Sequence, residues 1–119
     1  MKRFLKSFKY AFAGLWYCVR RERNFRVHLV AMTIVIALMV IFELERYEMI
    51  ALIFAICFVL FAEMVNTAVE RAVDNASTEY TENGKVAKDV AAGAVLISAI
   101  FAATVGFIVF GERILEVIR

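Results

Sequence analysis

Four polar residues recur at helical spacing directly after the most apolar stretch of the chain, residues 49–62. They are Glu63, Asn66, Glu70 and Asp74. At about 100° of rotation per residue, their offsets place all four side chains on one face of an α-helix. Three carboxylates and one carboxamide on such a face could bind a divalent cation, accept a proton or line a path for cations.

These polar groups lie next to a membrane segment, where charge is costly. A charge at the centre of a bilayer costs about 3 kcal/mol on insertion scales. Residues 50–62 form only about 20 Å of helix, whereas the hydrocarbon core is about 30 Å thick. We therefore expect Glu63 to lie at or inside the membrane interface. The alternative is that the helix has left the membrane by residue 63 and that its acids are solvated.

The composition indicates an all-α integral membrane protein with a single domain over residues 1–119. Hydrophobic residues make up 63% of the chain, none of its residues is proline, and the mean hydropathy is +0.75. Soluble domains contain about 45–50% apolar residues. The net charge of +2 gives no reason to expect a nucleic-acid partner. Cys18 and Cys57 are isolated in helical patterns, so they predict neither a disulfide nor a metal site.

Periodicity and length predict four helices. An amphipathic helix over residues 3–22, with basic and aromatic residues, is typical of a helix that lies in the membrane interface. Asn83-Gly84 predicts a turn inside a polar loop over residues 75–85. The last membrane helix is rich in alanine and glycine, so it should pack closely against other helices. The three predicted membrane helices are residues 27–42, 49–74 and 86–110.

Basic residues are concentrated near the N-terminus. Eight of the 14 Lys and Arg residues lie in residues 1–26, whereas the turn at 43–48 holds one. This segment is too polar for a cleaved signal peptide. The positive-inside rule predicts a cytoplasmic N-terminus, a cytoplasmic loop at 71–89 and an external C-terminus. The acidic face then lies at the cytoplasmic side of the membrane.

Acids and a lysine at one membrane face suit more than one chemistry. Mg²⁺ takes a few carboxylates together with water and substrate phosphates, and phosphoryl transfer needs charge neutralisation. Lys88, near the start of a helix, would add positive charge. The chain has no glycine-rich phosphate loop. Spacing alone therefore leaves three functions open, namely a kinase, a small cation channel or transporter subunit, and a non-catalytic membrane adaptor.

Two further polar residues lie at the start of the first membrane helix. Glu22 stands among arginines, and on its own it is interpreted as a salt-bridged surface residue. His28 is interpreted as an interfacial or core residue rather than a ligand.

Longer motifs contain these acids. They are Glu63-x-x-Asn66-Thr-Ala-Val-Glu70-x-x-x-Asp74 and Lys88-Asp89-x-x-x-Gly-Ala-Val-Leu96. With Gly14-Leu15 and Glu22, they cover most of the chain and resemble the small prokaryotic diacylglycerol kinase family, which consists of integral membrane lipid kinases. The run Glu22-Arg-Asn24-Phe25-Arg-Val-His28 is more similar to the Gram-positive branch, whose preferred substrate is undecaprenol, than to the branch that acts on diacylglycerol.

The resemblance implies a role for each matching position. Glu63 would be the general base for the lipid hydroxyl and Asn66 a second catalytic residue, which orients the γ-phosphate or the hydroxyl. Glu22 and Glu70 would hold Mg²⁺. The implied nucleotide-binding residues are Tyr10, Glu22, Glu70, Glu79, Tyr80, Lys88 and Asp89.

The remaining implications concern the lipid and the assembly. Arg3 and Glu63 would contact the lipid substrate, and Asp74 would have a structural role. The resemblance implies an ATP- and Mg²⁺-dependent kinase that makes undecaprenyl phosphate at the cytoplasmic face of the bacterial plasma membrane, or one that makes phosphatidic acid from diacylglycerol. It also implies a homotrimer with sites assembled between protomers.

Overall fold

A computed structural model describes all 119 residues and contains four α-helices and no strands. The helices are α1 (Lys2–Arg21), α2 (Arg23–Ile41), α3 (Arg46–Ala76) and α4 (Glu82–Ile118). By length and composition, α2, α3 and α4 could each cross a membrane. The predicted all-α class with three membrane helices is therefore confirmed, whereas the position of α1 on the membrane surface stays a prediction.

A single residue separates α1 from α2. Glu22 has an extended backbone, with φ −102° and ψ 110°, and it ends one helix and begins the next. The guanidinium group of Arg26 donates hydrogen bonds to the carbonyl oxygens of Val19 at 3.2 Å and Arg20 at 2.9 Å. The last carbonyls of a helix lack partners within the helix, so Arg26 stabilises the end of α1 and fixes the corner that carries Glu22.

Both long helices extend beyond the apolar stretches that predicted them. α3 begins with a reciprocal capping box between Glu45 and Glu48, which satisfies backbone donors in the first turn. α4 begins at Glu82 because the Thr81 side chain accepts a hydrogen bond from the Gly84 amide at 3.0 Å. At its other end α4 continues to Ile118.

The predicted turn at Asn83-Gly84 is wrong, since both residues lie in the first turn of α4. The Thr81 cap outweighs the turn preference of this dipeptide. A Cβ atom at Gly84 would lie 2.8 Å from Oγ1 of Thr81 and 3.0 Å from Cγ1 of Val73. Glycine is therefore needed here for close approach, and the connection between α3 and α4 shortens to residues 77–81.

The helices pack chiefly through α3 against α4, with α2 lying against α3. An apolar cluster of Leu52, Val109 and Phe110 joins α3 and α4 near one end. At the same end, the Arg113 guanidinium group contacts both carboxylate oxygens of Glu48 at 2.9 Å. Since a helix rises about 1.5 Å per residue, this anchored end lies about 22 Å from Glu63.

Candidate functional site

Glu63 is a buried acid on α3. The residue is 3% exposed, and Nε2 of His28 on α2 lies 3.2 Å from its Oε1 atom. This contact brings the start of one membrane helix to the middle of the next. The alternative in which Glu63 is solvated is therefore wrong, whereas its depth in the membrane stays a prediction.

Sequence reasoning did not identify His28 as a site residue. Periodicity cannot show which faces of two helices meet, so the sequence alone predicts no partner for this histidine. One signal was present: an ionisable residue in a membrane helix needs a polar partner, and Glu63 is an acid of the neighbouring helix at a matching depth.

Asn66 and Glu70 continue the polar face along α3. The Asn66 amide nitrogen donates a hydrogen bond to Oε1 of Glu70 at 3.3 Å. Oδ1 of Asn66 is buried and has no partner. Because buried polar atoms are nearly always paired, this oxygen is the part of the site that a ligand would complete.

Glu22 contributes from the corner between α1 and α2. Its charge acts on both Cys18 and Glu63, and the charge of Glu70 also acts on Glu63. Burial raises the pKa of the Cys18 thiol, and the negative charge of Glu22 adds to this rise. Glu22 is half-buried and forms no ion pair. The interpretation of Glu22 as a salt-bridged surface residue is therefore wrong, whereas its place in the site stays a prediction.

The acids include no cluster of three or more side chains that could hold a metal ion by themselves. Mg²⁺ usually keeps several waters and binds one or two carboxylates plus substrate phosphates. The predicted pair, Glu22 and Glu70, offers only oxygen ligands, and Asn66, whose Oδ1 has no partner, donates a hydrogen bond to Glu70. This donor set fits a Mg²⁺ ion that arrives with a nucleotide.

A polar groove lies where α3, the 77–81 connection and α4 meet. Its volume is about 330 Å³, and four predicted nucleotide-binding residues line it. Nζ of Lys88 lies 2.6 Å from Oδ1 of Asp74, which also lines the groove. Asp89 forms a second pair, at 2.6 Å, with Nζ of Lys85. The four predicted residues are Glu79, Tyr80, Lys88 and Asp89.

The groove and the buried acid lie at different heights on α3. At about 1.5 Å per residue, Asp74 is about 16 Å beyond Glu63, with Glu70 between them. An extended ligand such as a nucleoside triphosphate could bridge part of this distance. A ligand in the groove and a ligand at Glu63 would therefore lie at different heights along α3.

Two predicted residues are not brought to the site within one chain. Arg3 and Tyr10 are exposed on α1, and at about 1.5 Å per residue Arg3 lies about 22 Å along this helix from Cys18. α1 instead contacts α3 through Tyr17, whose ring centroid lies 5.3 Å from the Arg71 guanidinium carbon. Sequence reasoning missed this cation–π contact.

An apolar groove leads away from His28 between α2 and α3. A small cavity of about 80 Å³ is lined by His28 and apolar residues. It shares Met32 and Ile56 with a larger groove of about 480 Å³ that is lined by apolar side chains alone. A hydrocarbon chain in this groove would therefore meet no polar group before it reached His28.

The sequence matches known proteins over most of its length. The family described as prokaryotic diacylglycerol kinase matches residues 9–110. A diacylglycerol kinase of Synechocystis is 43% identical over 103 residues, which are 86% of this chain but 59% of the relative. An undecaprenol kinase of Bacillus subtilis is 36% identical over 92% of this chain and 89% of its own length. A diacylglycerol kinase of Escherichia coli is 31% identical over 84% of this chain and 82% of its own length.

Proposed function

The chain belongs to the prokaryotic diacylglycerol kinase family, and from this membership we propose that it transfers the γ-phosphoryl group of ATP to the hydroxyl group of undecaprenol. The product is undecaprenyl phosphate, formed at the cytoplasmic face of a bacterial plasma membrane. The observation that carries the proposal is the buried Glu63, which shares α3 with Glu70 and contacts His28, a residue that lines the small apolar cavity. A general base for a lipid alcohol needs such a position, because the alcohol itself stays at the membrane interface.

Glu63 performs the proton transfer in this reaction. Its carboxylate accepts the hydroxyl proton as the lipid oxygen attacks the γ-phosphorus of ATP. A P–O bond forms to the lipid oxygen, the bond from the γ-phosphorus to the β,γ-bridging oxygen breaks, and ADP leaves. Asn66, whose Oδ1 has no partner within the chain, orients the γ-phosphate or the lipid hydroxyl.

Glu22, Glu70 and the groove hold the nucleotide. Mg²⁺, when bound with ATP, neutralises phosphate charge, and Glu22 and Glu70 would be its protein ligands. Lys88 exchanges its contact with Asp74 for one with the phosphates. Glu79, Tyr80 and Asp89 form the wall of the groove.

Arg3 and Tyr10 are proposed to act in a homotrimer. In one chain both are exposed on α1, away from Glu63. A site assembled between protomers would allow these residues to serve a neighbouring lipid and nucleotide, as the sequence analysis expected from the resemblance.

The lining of the apolar groove favours undecaprenol. A polyisoprenoid tail is pure hydrocarbon, whereas diacylglycerol carries ester carbonyls that lose hydrogen bonds when they enter an apolar environment. The all-apolar lining of the larger groove suits the former. The Bacillus subtilis relative, named an undecaprenol kinase, supports the same substrate.

Diacylglycerol phosphorylation is the second candidate. The relatives from Synechocystis and Escherichia coli are named diacylglycerol kinases, and the same base and groove would serve that reaction. A cation channel is less well supported, because the Lys88 ammonium group lies among the acids where it would repel a passing cation.

A transfer assay separates these functions. Purified protein in bicelles receives γ-labelled ATP and either undecaprenol or diacylglycerol at equal mole fraction. We expect label in undecaprenyl phosphate at a kcat/KM above that for diacylglycerol. Preferential labelling of diacylglycerol would show that diacylglycerol, and not undecaprenol, is the substrate. The absence of label in both lipids would overturn the proposed function.

A further inference from the structure

His28 is the partner that the structure gives to the Glu63 carboxylate. Nε2 of His28 lies 3.2 Å from Oε1 of Glu63. No other ion pair or hydrogen bond of the chain reaches either carboxylate oxygen of Glu63. Thr67 binds only the backbone carbonyl of Glu63, at 3.0 Å. The orientation of the carboxylate therefore depends on one imidazole.

The surroundings of Glu63 make that contact important. The residue is buried, and a buried carboxylate needs a hydrogen-bond donor or a positive charge. Its acidic neighbours Glu22 and Glu70 supply neither, and the thiol of Cys18 is only a weak donor. α4 contributes no charged group to the contacts of this carboxylate.

The chemistry of the two groups fixes the direction of the hydrogen bond. A general base must be ionised before it accepts a proton, and an ionised carboxylate only accepts hydrogen bonds. In that state Nε2 of His28 carries the proton and donates the hydrogen bond to Oε1. Oε2 then remains free to receive the proton of a substrate. A base held in one orientation reacts faster than one that rotates, because less freedom is lost on reaching the reactive geometry.

We propose that His28 is a positioning residue for Glu63, which ties Oε1 so that Oε2 faces a lipid hydroxyl arriving from the apolar groove. This inference rests on the proposed function, which makes Glu63 the general base. The imidazole of His28 also lines the small cavity, which shares Met32 and Ile56 with the apolar groove. His28 thus contacts both the base and the path of the substrate.

The test compares side chains that differ in reach and in their ability to donate. The glutamine side chain of His28→Gln is long enough for its amide nitrogen to donate a hydrogen bond to Glu63. The asparagine side chain of His28→Asn carries the same donor but is too short to reach, and the leucine of His28→Leu has no donor. We expect Leu and Asn to lower kcat by about 10- to 100-fold, the effect of losing a hydrogen bond to a charged group. Gln should keep kcat within about fivefold of wild type, because its donor is retained.

Measurements with ATP provide the readout that a purely structural role would not give. The KM for ATP should stay within about twofold in all three variants, since His28 does not touch the nucleotide groove. Ile34→Leu, a volume-conserving change at an exposed residue of α2 that lines neither the small cavity nor the larger groove, should leave both constants unchanged. If His28→Leu does not fold, the difference in kcat between His28→Gln and His28→Asn still tests whether a donor must reach Glu63.

The outcomes separate the two proposals. If the wild-type protein is active and the Leu, Asn and Gln variants have the same kcat, the role of His28 is overturned. The proposed kinase function is not affected by that result. A loss of kcat that Gln does not restore would also overturn it. Wild-type protein that phosphorylates no lipid alcohol would overturn the proposed function, and the inference would fall with it.

Discussion

Nζ of Lys88 lies 2.6 Å from Oδ1 of Asp74, which joins the first turns of α4 to the last turns of α3. Both side chains are about half exposed, at 40% and 58%. An exposed pair of this kind contributes only about 0–1 kcal/mol to stability. Its main consequence is therefore positional, because it holds a cation at the rim of the groove that contains Glu79 and Tyr80.

Removing Lys88 should weaken nucleotide binding. We expect Lys88→Met to raise the KM for ATP by about 10- to 100-fold, since a hydrogen bond between charged groups is lost. Asp74→Asn should change this KM by less than about threefold. The substitution keeps Lys88, the residue proposed to contact the phosphates, and weakens only an exposed ion pair. Steady-state kinetics with varied ATP measure both. Equal effects of the two substitutions would contradict a phosphate-binding role for Lys88.

The Mg²⁺ requirement tests Glu22 and Glu70. Substitution of either by alanine removes one of the proposed carboxylate ligands, so the Mg²⁺ concentration for half-maximal activity should rise by about 10-fold or more. Glu116→Ala, near the end of α4, is the matched control and should not change it. A Mg²⁺ titration of the Glu22 and Glu70 variants that overlaps that of wild type would exclude a shared ion at these residues.

Cys18 reports on the position of Glu22. Because burial and the charge of Glu22 raise the pKa of this thiol, less thiolate is present at a given pH than for a free cysteine. In a Cys57→Ala background, alkylation by a water-soluble maleimide should be slow at neutral pH and should accelerate with rising pH. Glu22→Gln removes a negative charge and should speed alkylation at constant pH, whereas Glu82→Gln should not. Unchanged rates in Glu22→Gln would place this acid away from Cys18.

Arg113 and Glu48 should stabilise the opposite end of the bundle without affecting the nucleotide. The bidentate contact joins residues on α4 and α3 beside the Leu52 cluster. Arg113→Met leaves Glu48 unpaired, so the melting temperature in detergent should fall. The KM for ATP should not change, because the groove lies at the other end of α3. An Arg113→Met variant with a wild-type melting temperature and a changed KM for ATP would contradict the claim that this contact affects stability and not nucleotide binding.

The acidic face and the three membrane helices could be predicted from the sequence because both depend on periodicity along a single helix. The start of α4 could not, since the cap formed by Thr81 competes with the turn preference of Asn83-Gly84 and its outcome depends on packing against Val73. The pairing of His28 with Glu63 depends on which faces of α2 and α3 meet. Only the family resemblance, and not local pattern, suggested that Glu22 belongs to the site.

Transfer of labelled phosphate by Glu63→Gln tests the central claim most directly. The substitution removes the proton acceptor and keeps the size of the side chain, and general-base catalysis contributes about 10²- to 10⁴-fold. We predict that this variant folds, binds ATP with wild-type affinity and loses phosphorylation of undecaprenol by a factor in that range. Wild-type turnover in Glu63→Gln would show that the lipid hydroxyl loses its proton to another group and would contradict the account.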